Sequence, residues 1–184
     1  MLKSLFLSHS NNLTSASIRA MATATVGSKI PLNLTLLENN PGTKVTLDSI
    51  FANKKVVMIG VPGAFTPTCS NQHLPSIVTN YDKFKAKGVD EIVCVSVNDP
   101  FVMAEWGKAQ KADGKVRMLA DVNGELTSAL GLEFDLTKVF GTKAGFRCQR
   151  FSCVVENGII KFLNVQPQGG DAECTFAPNL LNVL

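Results

Sequence analysis

Short apolar runs alternate along the chain with stretches in which apolar residues recur every three or four positions. The runs at Lys55–Ile59, Glu91–Val97 and Val116–Leu119 are closed by glycine, proline or polar turns, which is the pattern of buried strands. Between them, the spacing of Leu74, Ile77, Val78, Tyr81 and Phe84 predicts a helix ended by Gly88. Asp99-Pro100 starts another helix, with Val102, Trp106 and Ala109 on one face, and Gly124–Leu130 predicts a third. Upstream, a strand is expected at Leu34–Leu37, a turn at Asn39-Asn40-Pro41-Gly42, and a short helix capped by Thr46 and reaching Phe51. Downstream, Phe151–Glu156 and Ile159–Val165 flank Asn157-Gly158, a strong hairpin signal. The loop Gln166–Glu173 is polar and glycine-rich and is expected to be mobile. Phe176, Leu180 and Leu184 then share one face of a C-terminal helix, with Pro178 tolerated near its start. Strands alternating with helices, then a hairpin and a last helix, predict an α/β protein with a central mixed sheet flanked by helices.

At 184 residues, one domain is the default, with room for a sizeable core. No apolar run approaches the roughly 18 residues that a membrane span requires. The formal charge of +3 comes entirely from Lys3, Arg19 and Lys29, because the Lys and Arg from Ile30 onward balance the acids. A neutral remainder argues against nucleic acid or an anionic membrane as partner. Residues 1–24 are rich in Ser, Thr, Ala and Asn, lack acids and carry isolated basic residues. That composition fits a mitochondrial transit peptide ahead of a domain at 25–184, and Met21 could start a shorter cytosolic product.

The candidate chemistry centres on Gly60-Val61-Pro62-Gly63-Ala64-Phe65-Thr66-Pro67-Thr68-Cys69, where a strand hands over to a helix. Thr66 before Pro67 reads as an N-cap with proline at the first helical position, which puts Cys69 in the first turn, near unpaired amides and the positive helix end. A free thiol is only a few per cent thiolate at pH 7, and making thiolate the majority form takes about 2.7 kcal/mol. A helix terminus typically supplies about 0.3–1 kcal/mol, so a cation or aimed hydrogen bonds must come from elsewhere in the chain. The same spacing also allows the plainer reading of Cys69 as a small buried hydrophobe. Cys69 and His73, four apart, could share a metal, but the only other histidine is His9, so no zinc site is expected. Gly60-x-x-Gly63 lacks the lysine of a phosphate loop.

Pro62-x-x-x-Thr66-x-x-Cys69 resembles the active-site signature of peroxiredoxins, and PGAFTPTCS followed by His73-Leu74-Pro75 resembles their type II (peroxiredoxin-5) branch. Further strings match in order: VCVSVNDPFV at Val93–Val102, EWGKA at Glu105–Ala109, VRMLAD at Val116–Asp121, and RFSCVVENGIIKFLNV at Arg150–Val165. The resemblance runs from about Val26 to the C-terminus. It implies a thioredoxin-like fold, which the element pattern also fits.

It also implies a thiol-dependent peroxidase acting on hydrogen peroxide and alkyl hydroperoxides. Cys69 would be the peroxidatic thiolate, reachable by a small oxidant and oxidised to sulfenic acid. Arg150, which by itself would read as a solvated strand-edge residue, becomes the missing cation, with Arg147 as fallback. Thr66, either a helix cap or a partner of thiolate and peroxide, takes the second role, in a loop shaped by Pro62. Cys174, otherwise an idle edge thiol, becomes the resolving cysteine, with Cys94 as the competing candidate because some plant-like members place a redox cysteine there. On the residues alone, Cys94 and Cys153 are core and Cys148 is incidental. Five cysteines in a reducing compartment do not predict a static disulfide framework.

No cofactor is implied. The expected partners are a hydroperoxide and a thioredoxin-like or glutaredoxin-like reductant, with the chain acting as a monomer or homodimer. The alternative is a redox-sensing binding module that engages a partner through oxidised Cys69. A thiol oxidoreductase is disfavoured by the absence of Cys-x-x-Cys.

Overall fold

The computed structural model describes residues 23–141, 145–167 and 170–184. Most of the expected transit peptide, with Met21, and positions 168–169 of the loop expected to be mobile lie outside the described residues. A seven-stranded mixed sheet runs in the order β2-β1-β5-β4-β3-β8-β9. These strands are β1 (Thr35–Glu38), β2 (Asn40–Thr46), β3 (Lys55–Gly60), β4 (Glu91–Ser96), β5 (Arg117–Ala120), β8 (Phe151–Glu156) and β9 (Ile159–Val165). The central β3, β4 and β5 are parallel, and β8 runs antiparallel to β3. Alternate residues of the central strands feed two cores. Val56 and Met58 face a cluster with α1 (Leu47–Phe51) and α5 (Glu125–Ala129). Val57 and Ile59 face α2 (Leu74–Thr79), α3 (Tyr81–Ala86), α4 (Pro100–Ala109) and α7 (Ala177–Leu181). Among the described residues no helix is long and apolar enough to cross a membrane.

The expected fold class, strands, hairpin and the caps at Thr46 and Asp99 are found, with instructive departures. Thr46 accepts from the Ser49 amide, and Asp99 accepts from the Val102 amide at 2.9 Å, as N-caps. The Asn39–Gly42 turn is shorter than expected: Asn39 alone takes φ +64°, and β2 already begins at Asn40. Polar, exposed NPGTKVT gives no apolar signal because β2 is an edge strand. The buried face of α4 is Met103, Trp106 and Gly107, whereas Ala109 is exposed and Val102 only half-buried. The sheet packs against Gly107, whose missing side chain admits Met118, and this rotates the helix from the face that periodicity favoured. A second small sheet, β6 (Glu133–Asp135) with β7 (Phe146–Cys148), and α6 (Thr137–Phe140) between them, were too short to read from periodicity. The C-terminal helix stops at Leu181, short of Leu184.

The long helix expected after the active-site loop is interrupted. Helical backbone starts at Pro67, Cys69–His73 forms a wide π-turn, and Asn80 separates α2 from α3.

Candidate active site

Strand β3 ends at Gly60, a position that excludes a side chain because Phe151 lies over its backbone: a Cβ there would stand 2.0 Å from the ring. Beyond it the chain leaves the carboxyl end of the parallel strands, where α/β sheets place their reactive groups. The Val61 amide still donates to the Val95 carbonyl at 3.0 Å. Asn98 Oδ1 then accepts from the Ala64 amide at 3.0 Å, tying the loop to the end of β4. Phe65 adopts φ +60°, a left-handed conformation costly for an aromatic residue, and remains 58% exposed. This sharp turn brings the Thr66 hydroxyl onto the Gly63 carbonyl, to which it donates at 2.9 Å. Thr66 therefore neither caps the helix with its side chain nor reaches the sulfur; it fixes the loop between Pro62 and Cys69.

Cys69 lies in the first helical turn, as its place after Pro67 predicts. It is 0% exposed, enclosed by Val61, Ile59 and Leu74 in the α2-side core. This burial departs from the expectation of a thiol reachable by a small oxidant. The cation is present nonetheless. Arg150, immediately before β8 and 7% exposed, points Nη1 at the Cys69 sulfur at 3.3 Å. Register delivers it there, because Phe151 pairs with Gly60. The second hydrogen of Nη1 faces His73 Nδ1, also at 3.3 Å, and Nε donates to Gln166 Oε1 at 2.9 Å. Arg147, the fallback, donates instead to the Val97 carbonyl.

His73 and Gln166 are the contributors that the sequence reading missed. The imidazole is 0% exposed, and its Nε2 lies 3.1 Å from the Thr175 carbonyl. A carbonyl only accepts, so Nε2 carries the hydrogen and Nδ1 is left to accept from Arg150. Burial, reinforced by the Arg150 charge and opposed by the Thr175 bond, lowers its pKa from 6.5 to about 3, so it stays neutral. The one available signal was the four-residue spacing from Cys69, which puts both side chains near one helix face.

Cys174 sits in a 3₁₀ turn, Glu173–Thr175, partly exposed. Its carbonyl accepts from Asn164 Nδ2 at 2.7 Å, and its thiol is pushed up by burial and by Asp171. Cys94 is mid-strand in β4, fully buried, and burial raises its thiol well above the ordinary value. Cys153 is core as expected. Cys148, expected to be incidental, is 1% exposed on β7, with its thiol pushed up to about 12 by burial. The missed small sheet is what buries it.

What these groups can do together is hold a buried sulfur against a fixed guanidinium away from water. Residues 25–180 match the redoxin family. Peroxiredoxin-2D of Arabidopsis thaliana is 42% identical over 166 residues, covering 89% of this chain and 100% of that protein. Reduced Prx3 from Vibrio vulnificus in complex with H2O2 superposes with a TM-score of 0.79 at 42% identity, over 87% of this chain and 95% of that one. Peroxiredoxin 5 from Alvinella pompejana gives 0.76 at 35% identity, over 87% and 97%.

Proposed function

The chain belongs to the redoxin family, in the type II peroxiredoxin branch, and is a thiol-dependent peroxidase; from that premise we propose that Cys69 is the peroxidatic thiolate, Arg150 its electrostatic partner and Cys174 the resolving thiol. Its substrate is a hydroperoxide and its reductant is of the thioredoxin type. The observation carrying the assignment is the 3.3 Å approach of the Arg150 guanidinium to the Cys69 sulfur.

The sulfur anion attacks the near oxygen of the hydroperoxide. An S–O bond forms, the O–O bond breaks, and the far oxygen leaves with the electron pair as hydroxide or alkoxide, taking a proton to become water or alcohol. Arg150 neutralises the sulfur beforehand and donates to the departing oxygen as charge moves onto it. Thr66 serves by fixing the Pro62–Cys69 loop beside the sulfur through its bond to the Gly63 carbonyl. The Cys174 sulfur then attacks the sulfenic sulfur, forming S–S and breaking S–O, with the oxygen leaving as water. A dithiol reductant reopens the disulfide and is itself oxidised. Cys174 suits this step better than Cys94, because a three-residue turn moves without breaking the sheet pairing that holds β4 on both sides. Relatives that are peroxiredoxins give no support to a non-catalytic redox sensor.

Mass spectrometry of the chain after one equivalent of H2O2 tests the pairing. A Cys69–Cys174 disulfide is expected, and Cys69–Cys94 would overturn the assignment of the resolving thiol. Residues 1–24 are proposed as a mitochondrial targeting segment on their composition; a fluorescent protein fused behind them should enter mitochondria, and diffuse cytosolic signal would refute this.

A further inference from the structure

The peroxidatic helix and the turn bearing Cys174 lie about a hundred residues apart in sequence, yet one side chain ties them together. His73 occupies the last position of the wide turn that Cys69 opens. Its Nδ1 accepts from the same Arg150 nitrogen that donates to the sulfur, and its Nε2–H donates to the carbonyl next to Cys174. The ring also lies 5.6 Å from that of Phe176, inclined by 31°. A second tether joins the same regions, because the Ala177 amide donates to Ser76 Oγ at 3.2 Å. Ser76 belongs to the body of α2, beyond the wide turn, so this tether can persist while the wide turn opens.

We propose that His73 is a positioning residue that joins the two halves of the reaction into one latch: its Nδ1 holds the Arg150 guanidinium against the Cys69 sulfur, its Nε2–H pins the turn that carries Cys174, and unwinding of Cys69–His73 releases both together. The proposal rests on the assignment of Cys69 and Arg150 above. Oxidation supplies the trigger. Conversion of the sulfur anion to neutral sulfenic acid removes the charge that Arg150 faces, weakening the guanidinium's hold on the turn. The wide turn is the part of the helix best suited to open, since π-turns interrupt regular hydrogen bonding and here hold the Cys69 carbonyl through the Leu74 amide. As it opens, the imidazole withdraws from Thr175. The Cys174 turn then keeps its Asn164 bond but loses its tie to His73, which frees it to approach the sulfenic sulfur.

Asparagine reproduces the position of Nδ1 and glutamine that of Nε2, so the two ends can be cut separately. With H2O2 as probe, rapid-mixing fluorescence and acid-quench mass measurements follow Cys69 oxidation and disulfide closure as two phases. His73→Asn keeps an acceptor for Arg150 and drops Thr175; it should oxidise within about twofold of the parent rate and close about fivefold faster, the size of one net hydrogen bond. His73→Gln keeps Thr175 and loses the Arg150 acceptor; it should oxidise about fivefold more slowly and close at the parent rate. Equal changes in both phases for both variants would reduce His73 to packing and overturn the proposal.

Hydrogen exchange gives an independent reading if either variant misfolds. In the double variant Cys94→Ser/Cys174→Ser, whose sulfenic acid has neither candidate resolving thiol to react with, one equivalent of H2O2 should deprotect the amides of 69–74 and of 173–176 together. Loss of protection in the helix alone overturns the latch. This readout holds whichever cysteine resolves, so a Cys69–Cys94 disulfide in the parent chain would refute the resolving assignment while leaving the exchange result to decide the latch.

Discussion

Two arginines stand at opposite ends of the same sheet and are treated in opposite ways. Arg117 opens β5 at the amino end of the parallel strands and meets two carboxylates: Nε and Nη2 reach Glu38 at 3.1 and 2.8 Å, and Nη1 reaches Glu91 at 2.9 Å. Lys54 joins Glu91 to complete the cluster. The Glu38 bonds, with those of Glu91, hold the guanidinium more firmly in its charged form despite partial burial. Arg150, at the carboxyl end, is more deeply buried and has a thiol, a neutral imidazole and an amide oxygen as partners, none of them a carboxylate. A buried charge without a counter-charge is expensive. Its presence marks a place where an anion is expected during the work of the protein. A matched cluster such as that of Arg117 is structural, whereas a cation left without a carboxylate is kept for chemistry.

The contrast can be broken most severely at the sulfur. Cys69→Ser should abolish peroxide turnover, by more than about a thousandfold in a thioredoxin-coupled assay, because among the described residues no other thiol is hydrogen-bonded by an arginine. Retention of most of the rate would end the assignment. Cys174→Ser should still allow one oxidation per chain, counted by trapping sulfenic acid. Next in size, Arg150→Gln should slow single-turnover oxidation by about a hundredfold, the scale of losing one preorganised donor. Arg117→Gln should leave that rate within about twofold; a comparable fall would erase the distinction between the two ends. Arg117→Gln should instead cost about 1 kcal/mol in urea unfolding, since its partners are partly exposed and Lys54 remains beside Glu91.

The smallest effect is one of pH. The folded chain keeps His73 neutral down to about 3, against 6.5 for the ordinary side chain. Between those values the unfolded chain binds a proton that the folded chain refuses, so this contribution is full above 6.5 and is lost as pH falls toward 3. Urea midpoints measured from pH 7 to pH 4 should therefore decline less steeply in His73→Gln than in the parent. Identical slopes would mean that the imidazole is protonated in the fold.

The parts of the site that the sequence disclosed were those encoded locally or by matched strings. Gly60 to Cys69 announces a strand-to-helix handover through its own prolines and glycines, and Asn157-Gly158 announces the hairpin whose first strand pairs Phe151 with Gly60 and so sets Arg150, the residue before it, beside the loop. The rest depended on meetings at a distance. His73 was visible four residues from Cys69, but nothing local indicates that residue 175 folds back onto its ring. Gln166 looked like the start of a loop, yet its amide group orients Arg150. Thr66 was expected at the sulfur and lies on Gly63, because the loop conformation at Phe65 decides where its hydroxyl points. Burial of Cys148 followed from a small sheet that three-residue strands do not advertise.

The contact between the Gly60 backbone and the Phe151 ring makes these positions complementary in size. A methyl group at 60 is compatible with the β3–β8 pairing only if 151 gives up volume, so the two sites should covary among related chains. Gly60→Ala would then be more damaging alone than together with Phe151→Leu, and the difference would measure how tightly the floor beneath the guanidinium is built.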